Sequence, residues 1–186
     1  MRTVFFLFIL SFILINCQQK SNFEKQFDCN SEPLKKMELN RDFNESFSLL
    51  IPATWKTSLY YDNAQSEIFA ADTTQTIQET YLMEIALVNG KININTDFQN
   101  KVKTVTTSSG LQTQKDGFLK MGNFEGYFHL GNGLKNDEII NVFQYYIKIS
   151  DEKYFLIKTQ LYGNENLNER LCQSFQMIKT LKITEK

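Results

Sequence analysis

The sequence predicts an α+β domain, an antiparallel sheet of about six or seven strands packed with a mid-chain helix and a C-terminal helix. Sixteen Phe and eight Tyr against two Pro favour pleated sheet, on which aromatic rings pack well. Apolar residues recur with a period of two through much of residues 43–162, the mark of half-buried strands. Two segments break that period with helical spacing, one over 96–108 and one after residue 165. Very short links between the strands imply antiparallel neighbours, and helices set apart from the strands imply α+β.

The chain opens MRTVFFLFILSFILINC: one positive charge at Arg2, an apolar run from Val4 to Ile15 interrupted only by Ser11, then Cys17. That layout is a secretory signal, and the run falls short of the roughly 20 apolar residues of a spanning helix. Leu14-Ile15-Asn16-Cys17 resembles the lipobox of bacterial lipoproteins, in which the cysteine is acylated and becomes the new N-terminus. The chain therefore divides into a signal peptide over 1–16, a lipidated N-terminus and polar tether over 17–42, and a single domain over 43–186. Asn16 stands where Gly, Ala or Ser is usual, so an uncleaved signal anchor is the competing reading. Gln18 follows the cysteine in place of the Asp that retains many lipoproteins in the inner membrane. By that resemblance the destination is the outer membrane, facing the periplasm.

Within 18–42 no apolar period emerges, although Pro33 suits the first position of a helical turn over 33–39. Phe47, Leu49 and Ile51 then alternate with polar neighbours in a strand that ends at Pro52. Strands over 57–62 and 67–72 flank a turn at Asn63-Ala64-Gln65-Ser66. Residues 79–88 set Tyr81, Met83, Ile85 and Leu87 on one face, and Asn89-Gly90 supplies a turn. Thr96-Asp97-Phe98-Gln99 matches a capping box with Thr96 as N-cap. Phe98, Val102 and Val105 continue it as a helix, and Gly110 stops it.

Strands over 111–121 and 124–130 follow around Gly122-Asn123, and Gly131-Asn132-Gly133 reads as a further turn. Long strands over 138–150 and 153–162 are linked by Asp151-Glu152. Leu167, Leu171, Ser174, Phe175, Ile178 and Leu181 share one stripe of a last helix, with Cys172 on its flank.

This order, together with Pro52-Ala53-Thr54-Trp55, the helix near 96–108 and Ser174-Phe175, resembles the PsbP-like and Mog-like α-β-α sandwich group over residues 43–182. The group includes small bacterial lipoproteins, photosystem extrinsic subunits and a Ran-binding transport factor. The resemblance implies a binding fold and brings no catalytic residues.

Composition narrows the function further. The formal charge of −1 becomes −2 once Arg2 is removed, and no basic block exists. That argues against nucleic acid as a partner, and membrane attachment must come from lipid at about 0.8 kcal/mol per buried CH₂. With Cys17 taken by lipid, Cys29 and Cys172 form an even pair in an oxidising compartment. A bridge between them is expected, two free thiols being the alternative.

His129 is the single histidine, on a strand face shared with Glu125 and Tyr127. Glu125 and His129 would stand about 13 Å apart at ~3.3 Å per residue, too far for one metal ion. With one His and no cysteine cluster, no metal and no cofactor is expected. His129 and Tyr127 are candidate ligand contacts, against a plain surface or half-buried histidine. Trp55 is a candidate stacking residue, against a packing role at the strand end. Asp62, Glu67 and Asp72 surround the first hairpin without a calcium-loop pattern and are expected to be solvated. No G-x-S-x-G or other nucleophile arrangement occurs. The sequence thus points to a lipid-anchored, non-enzymatic envelope module that binds a protein partner or small ligand. An envelope enzyme with an unrecognised site around Glu125, Tyr127 and His129 is the alternative.

Overall fold

A computed structural model describes residues 21–76 and 78–184. The signal segment, Cys17 and Gln18 lie outside the described residues. Ten strands and three helices are built from the rest, as a sheet with helices on both faces.

The large sheet has seven strands, all antiparallel, in the order β3-β4-β5-β9-β8-β7-β6. In chain order these are β3 (Lys56–Tyr61), β4 (Gln65–Ala71), β5 (Tyr81–Asn89), β6 (Leu111–Phe118), β7 (Gly126–Lys135), β8 (Glu138–Lys148) and β9 (Lys153–Tyr162). Registers across the sheet carry the apolar alternation into continuous rows. Ile68 faces Ile85, Ile85 faces Ile157, Ile157 faces Tyr145, and Tyr145 faces Phe128. Each of these five side chains is at most 1% exposed. One face of the sheet is therefore a packed floor, as the period of two requires.

Against this floor lies a second, smaller sheet that the strand count did not anticipate. It comprises β1 (Met37–Arg41), β2 (Phe47–Pro52) and the two-residue β10 (Lys182–Ile183), in the order β1-β2-β10. Beside it sit α1 (Asn22–Gln26) and α3 (Leu167–Ile178). Phe47 meets Phe155 of the floor edge-on at 5.0 Å.

The segment read as a tether, 17–42, is corrected wherever it is described. Ser21 caps α1 in a capping box with Glu24. Phe23 and Phe27, one turn apart, are 6% and 8% exposed. Phe23 packs against Phe128, Phe143, Tyr145 and Phe175. The expected turn over 33–39 is instead an extended approach to β1, which pairs with β2. A helix of five residues and its C-cap show only two apolar positions, Phe23 and Phe27, too few for a period, and the core rings they pack against lie a hundred or more residues away. The Cys29–Cys172 disulfide forms between the end of α1 and the middle of α3, with Cα atoms 5.5 Å apart.

The other face of the large sheet carries α2 (Thr96–Ser108) over β6 and β7. Its N-cap is Asn95, whose side chain accepts from the Phe98 N–H, one residue before the expected Thr96. Its buried residues are Val102 and Thr106, while Val105 is 58% exposed, so the buried stripe continues through Thr106 and not Val105.

Gly131-Asn132-Gly133 is not a turn but lies inside β7. A Cβ on Gly133 would come within 2.6 Å of the Gly110 carbonyl oxygen, so the glycine admits the α2–β6 turn against the strand. The turn itself falls at Asn136-Asp137, both with positive φ, as a two-residue hairpin demands.

Candidate functional site

On the α2 face, strand register lines up one polar row across five strands. Asp116 faces His129, His129 faces Gln144, Gln144 faces Lys158, and Lys158 faces Glu84. α2 lies over β6 and β7 and touches β8 near its N-terminal end, where Phe98 meets Tyr146 edge-on at 5.0 Å. It covers the first two members of the row, and beside its C-terminal half the row runs on into an open groove.

The closed part joins two residues selected from the sequence, Tyr127 and His129, to three that were not, Asp116, Gln99 and Lys103. Asp116 accepts hydrogen bonds from Gln99 (2.5 Å) and the Tyr127 hydroxyl (3.1 Å), and pairs with Lys103 at 3.1 Å. Burial raises the Asp116 pKa, but these bonds outweigh it and leave the carboxyl below its ordinary value. His129 Nε2 lies 2.9 Å from the Thr113 hydroxyl. Burial lowers the imidazole pKa, the Asp116 charge opposes the shift, and Lys103 adds to it.

Tyr127 and His129 are 0% and 1% exposed, so the expected surface or half-buried histidine is fully buried. Alternation could not reveal this, because β7 is covered on both faces: Phe128 lies in the main core and its neighbours lie under α2. Glu125 is exposed, precedes β7 and joins no cluster with them. Trp55 is on the opposite side of the sheet, 9% exposed and edge-on to Tyr81 at 4.6 Å. The three candidate ligand residues therefore do not converge.

The open part is a groove of about 400 Å³ between the C-terminal half of α2 and β7–β9. Val105, Leu134, Ile140 and Val142 form its apolar side; Gln144, Lys158 and Gln160 form its polar side. Leu134 is 66% exposed and Val105 58%, a conspicuous amount of apolar surface at one rim. Glu84 orders the polar side, accepting from Gln160 at 2.8 Å and from Lys158 at 3.2 Å. Farther along this face, burial first and the Glu84 charge second raise the Glu67 pKa.

Gly131 and Gly133, opposite Val142 and Ile140, let α2 and the α2–β6 turn lie close on β7: a Cβ on Gly131 would come within 3.1 Å of the Thr106 methyl. The groove residues escaped the sequence reading because they are drawn from four elements, α2, β7, β8 and β9. Among the described residues no group of His, Cys, Asp and Glu could hold a metal ion.

No protein-family model and no curated relative matches this sequence. Solved structures share its fold. The cyanobacterial PsbP of Synechocystis superposes with a TM-score of 0.59 at 11% identity, over 84% of this chain and 97% of that one. The Ran-binding protein Mog1p of Saccharomyces cerevisiae gives 0.56 at 7%, over 79% and 95%. LpqN of Mycobacterium tuberculosis, involved in cell envelope biogenesis, gives 0.51 at 13%, over 90% and 99%. The fold is thus the PsbP/Mog-like sandwich expected from the order of elements.

Proposed function

We propose that this chain is a lipid-anchored, non-enzymatic module of the bacterial cell envelope, held by Cys17 to the periplasmic leaflet of the outer membrane. It receives a protein segment or small apolar ligand in the groove beside α2. The observation that carries the binding role is the division of the α2 face. Tyr127 and His129, the titratable pair that the sequence reading put forward with Glu125, are buried beneath α2, and Glu125 stands apart from them. The accessible part instead offers an apolar rim and amide and ammonium donors, the make-up of a binding surface.

Two of the structural likenesses support the reading in kind, Mog1p being Ran-binding and LpqN being a protein of envelope biogenesis. Among the described residues no helix is long and apolar enough to cross a membrane.

Two measurements test the proposal. Palmitate labelling is expected in wild type and absent in Cys17→Ala; equal labelling overturns the anchor. A photo-crosslinker at Val105 is expected to give discrete adducts in the envelope that one at Glu152, outside the groove, does not. Identical patterns at both positions overturn the groove.

A further inference from the structure

The folded domain begins unexpectedly close to the anchor. Ser21 already caps α1, so only four Cα–Cα steps separate it from Cys17. Fully extended, that spacer reaches about 14 Å at ~3.5 Å per step. The headgroup layer of one leaflet is itself about 5–7 Å thick. An acylated Cys17 therefore keeps the Ser21 end of the domain close to the membrane surface, so surface around Ser21 is what lies nearest the headgroups.

That end has a distinctive surface. The start of α1, the loop joining β6 to β7, and the residues at the end of α3 enclose a hollow of about 380 Å³. The charged residues lining it are Lys25, Lys120 and Lys179, and none is acidic. Phe23, Leu119 and Met121 supply apolar wall between the lysines. Lys179 is partly neutralised by Glu24 at 3.3 Å, while Lys25 and Lys120 are exposed.

Resting on the lipid-anchor reading of Cys17, we propose that this lysine-rimmed hollow docks on the anionic phospholipid headgroups around the anchor. The phosphate is met by Lys25 and Lys120, and the glycerol region lies against Leu119 and Met121. Docking fixes the orientation of the domain. The β6–β7 loop faces the bilayer, and Leu134, at the far end of β7, points away from it together with the groove rim. The groove is thereby presented to the periplasm and not to the lipid. The overall charge of the chain gives no hint of this surface, because the lysines come from three separated segments.

The experiment uses the purified full-length chain, with acylation verified by mass, in vesicles of phosphatidylglycerol and phosphatidylcholine carrying a headgroup nitroxide lipid. Tryptophan is introduced by Asn123→Trp in the β6–β7 loop or by Leu134→Trp at the far end, with the signal of buried Trp55 subtracted. Quenching at position 123 is expected to exceed that at 134 at least threefold. The difference should vanish in Lys25→Gln/Lys120→Gln and in vesicles of phosphatidylcholine alone, with thermal unfolding unchanged. An acylated chain quenched equally at both positions overturns the docking alone. So does one whose preference survives loss of the lysines or of the anionic lipid. A chain without acyl mass overturns the anchor reading, and the docking with it.

Discussion

The ring of Phe23, in the first turn of α1, stacks on the ring of Phe175 in α3, with centroids 4.8 Å apart and planes 15° from parallel. A residue close to the expected lipid anchor is thereby built into the core beside one from the last helix. The contact converts a supposed spacer into part of the domain, and it sets the short reach from which the proposed membrane docking is argued.

Phe23→Ala should therefore behave as a core truncation. Five aromatic neighbours surround the ring, four of which are at most 1% exposed. Removing a buried Phe typically costs about 3–5 kcal/mol. Urea unfolding is expected to show a loss in that range, whereas a spacer residue would show a change within about 0.5 kcal/mol.

Reduction of Cys29–Cys172 should be costly as well, because the cysteines are 143 positions apart. Chain entropy sets an upper figure of about 4–5 kcal/mol for a loop of this size, and measured losses typically span about 2–5 kcal/mol. The unfolding midpoints of wild type in dithiothreitol and of Cys29→Ala/Cys172→Ala should agree with each other and fall below that of the oxidised wild type.

Mild acid should weaken the fold through His129. Burial holds its pKa below the ordinary value of about 6.5, so the native state favours the neutral ring. On unfolding the imidazole regains its ordinary basicity and takes up a proton. Stability from this group is complete above about pH 6.5 and declines as pH falls from there through the folded pKa. The facing Asp116, held below its ordinary value, loses its contribution only in stronger acid, while Glu67, raised, titrates in the opposite sense. Thermal midpoints should fall between pH 7.5 and 5.5 in wild type, and His129→Gln should flatten that slope.

Charging the groove rim should separate binding from stability. Val105 and Leu134 are more than half exposed, so Val105→Glu and Leu134→Glu should alter urea stability by no more than about 0.5 kcal/mol. Both should abolish adducts from a crosslinker placed at Ser109, which lines the same groove. Retained adducts would place the binding surface elsewhere.

Much of the large sheet was legible because each of its central strands buries one face and records that fact with a period of two. Lys153–Tyr162 was bounded to the residue, and Leu167–Ile178 showed its stripe plainly. The short turn at Gly122-Asn123 was legible too, as Met121 and Phe124 bridge across it.

By itself, then, the sequence determined the strand alternation, the stripe of the last helix and the candidate cysteine pair, since local burial and cysteine number leave marks in the chain. Only the tertiary structure decided that Phe23 and Phe27 belong to the core, that Gly131 and Gly133 sit within a strand, and that His129 is sealed. It alone assembled the groove and the lysine-rimmed hollow. A segment with two apolar residues, a strand covered on both faces, or a surface drawn from three elements has no period to display. What defines each is contact with residues far away in the chain, and such contacts exist only once the chain has folded.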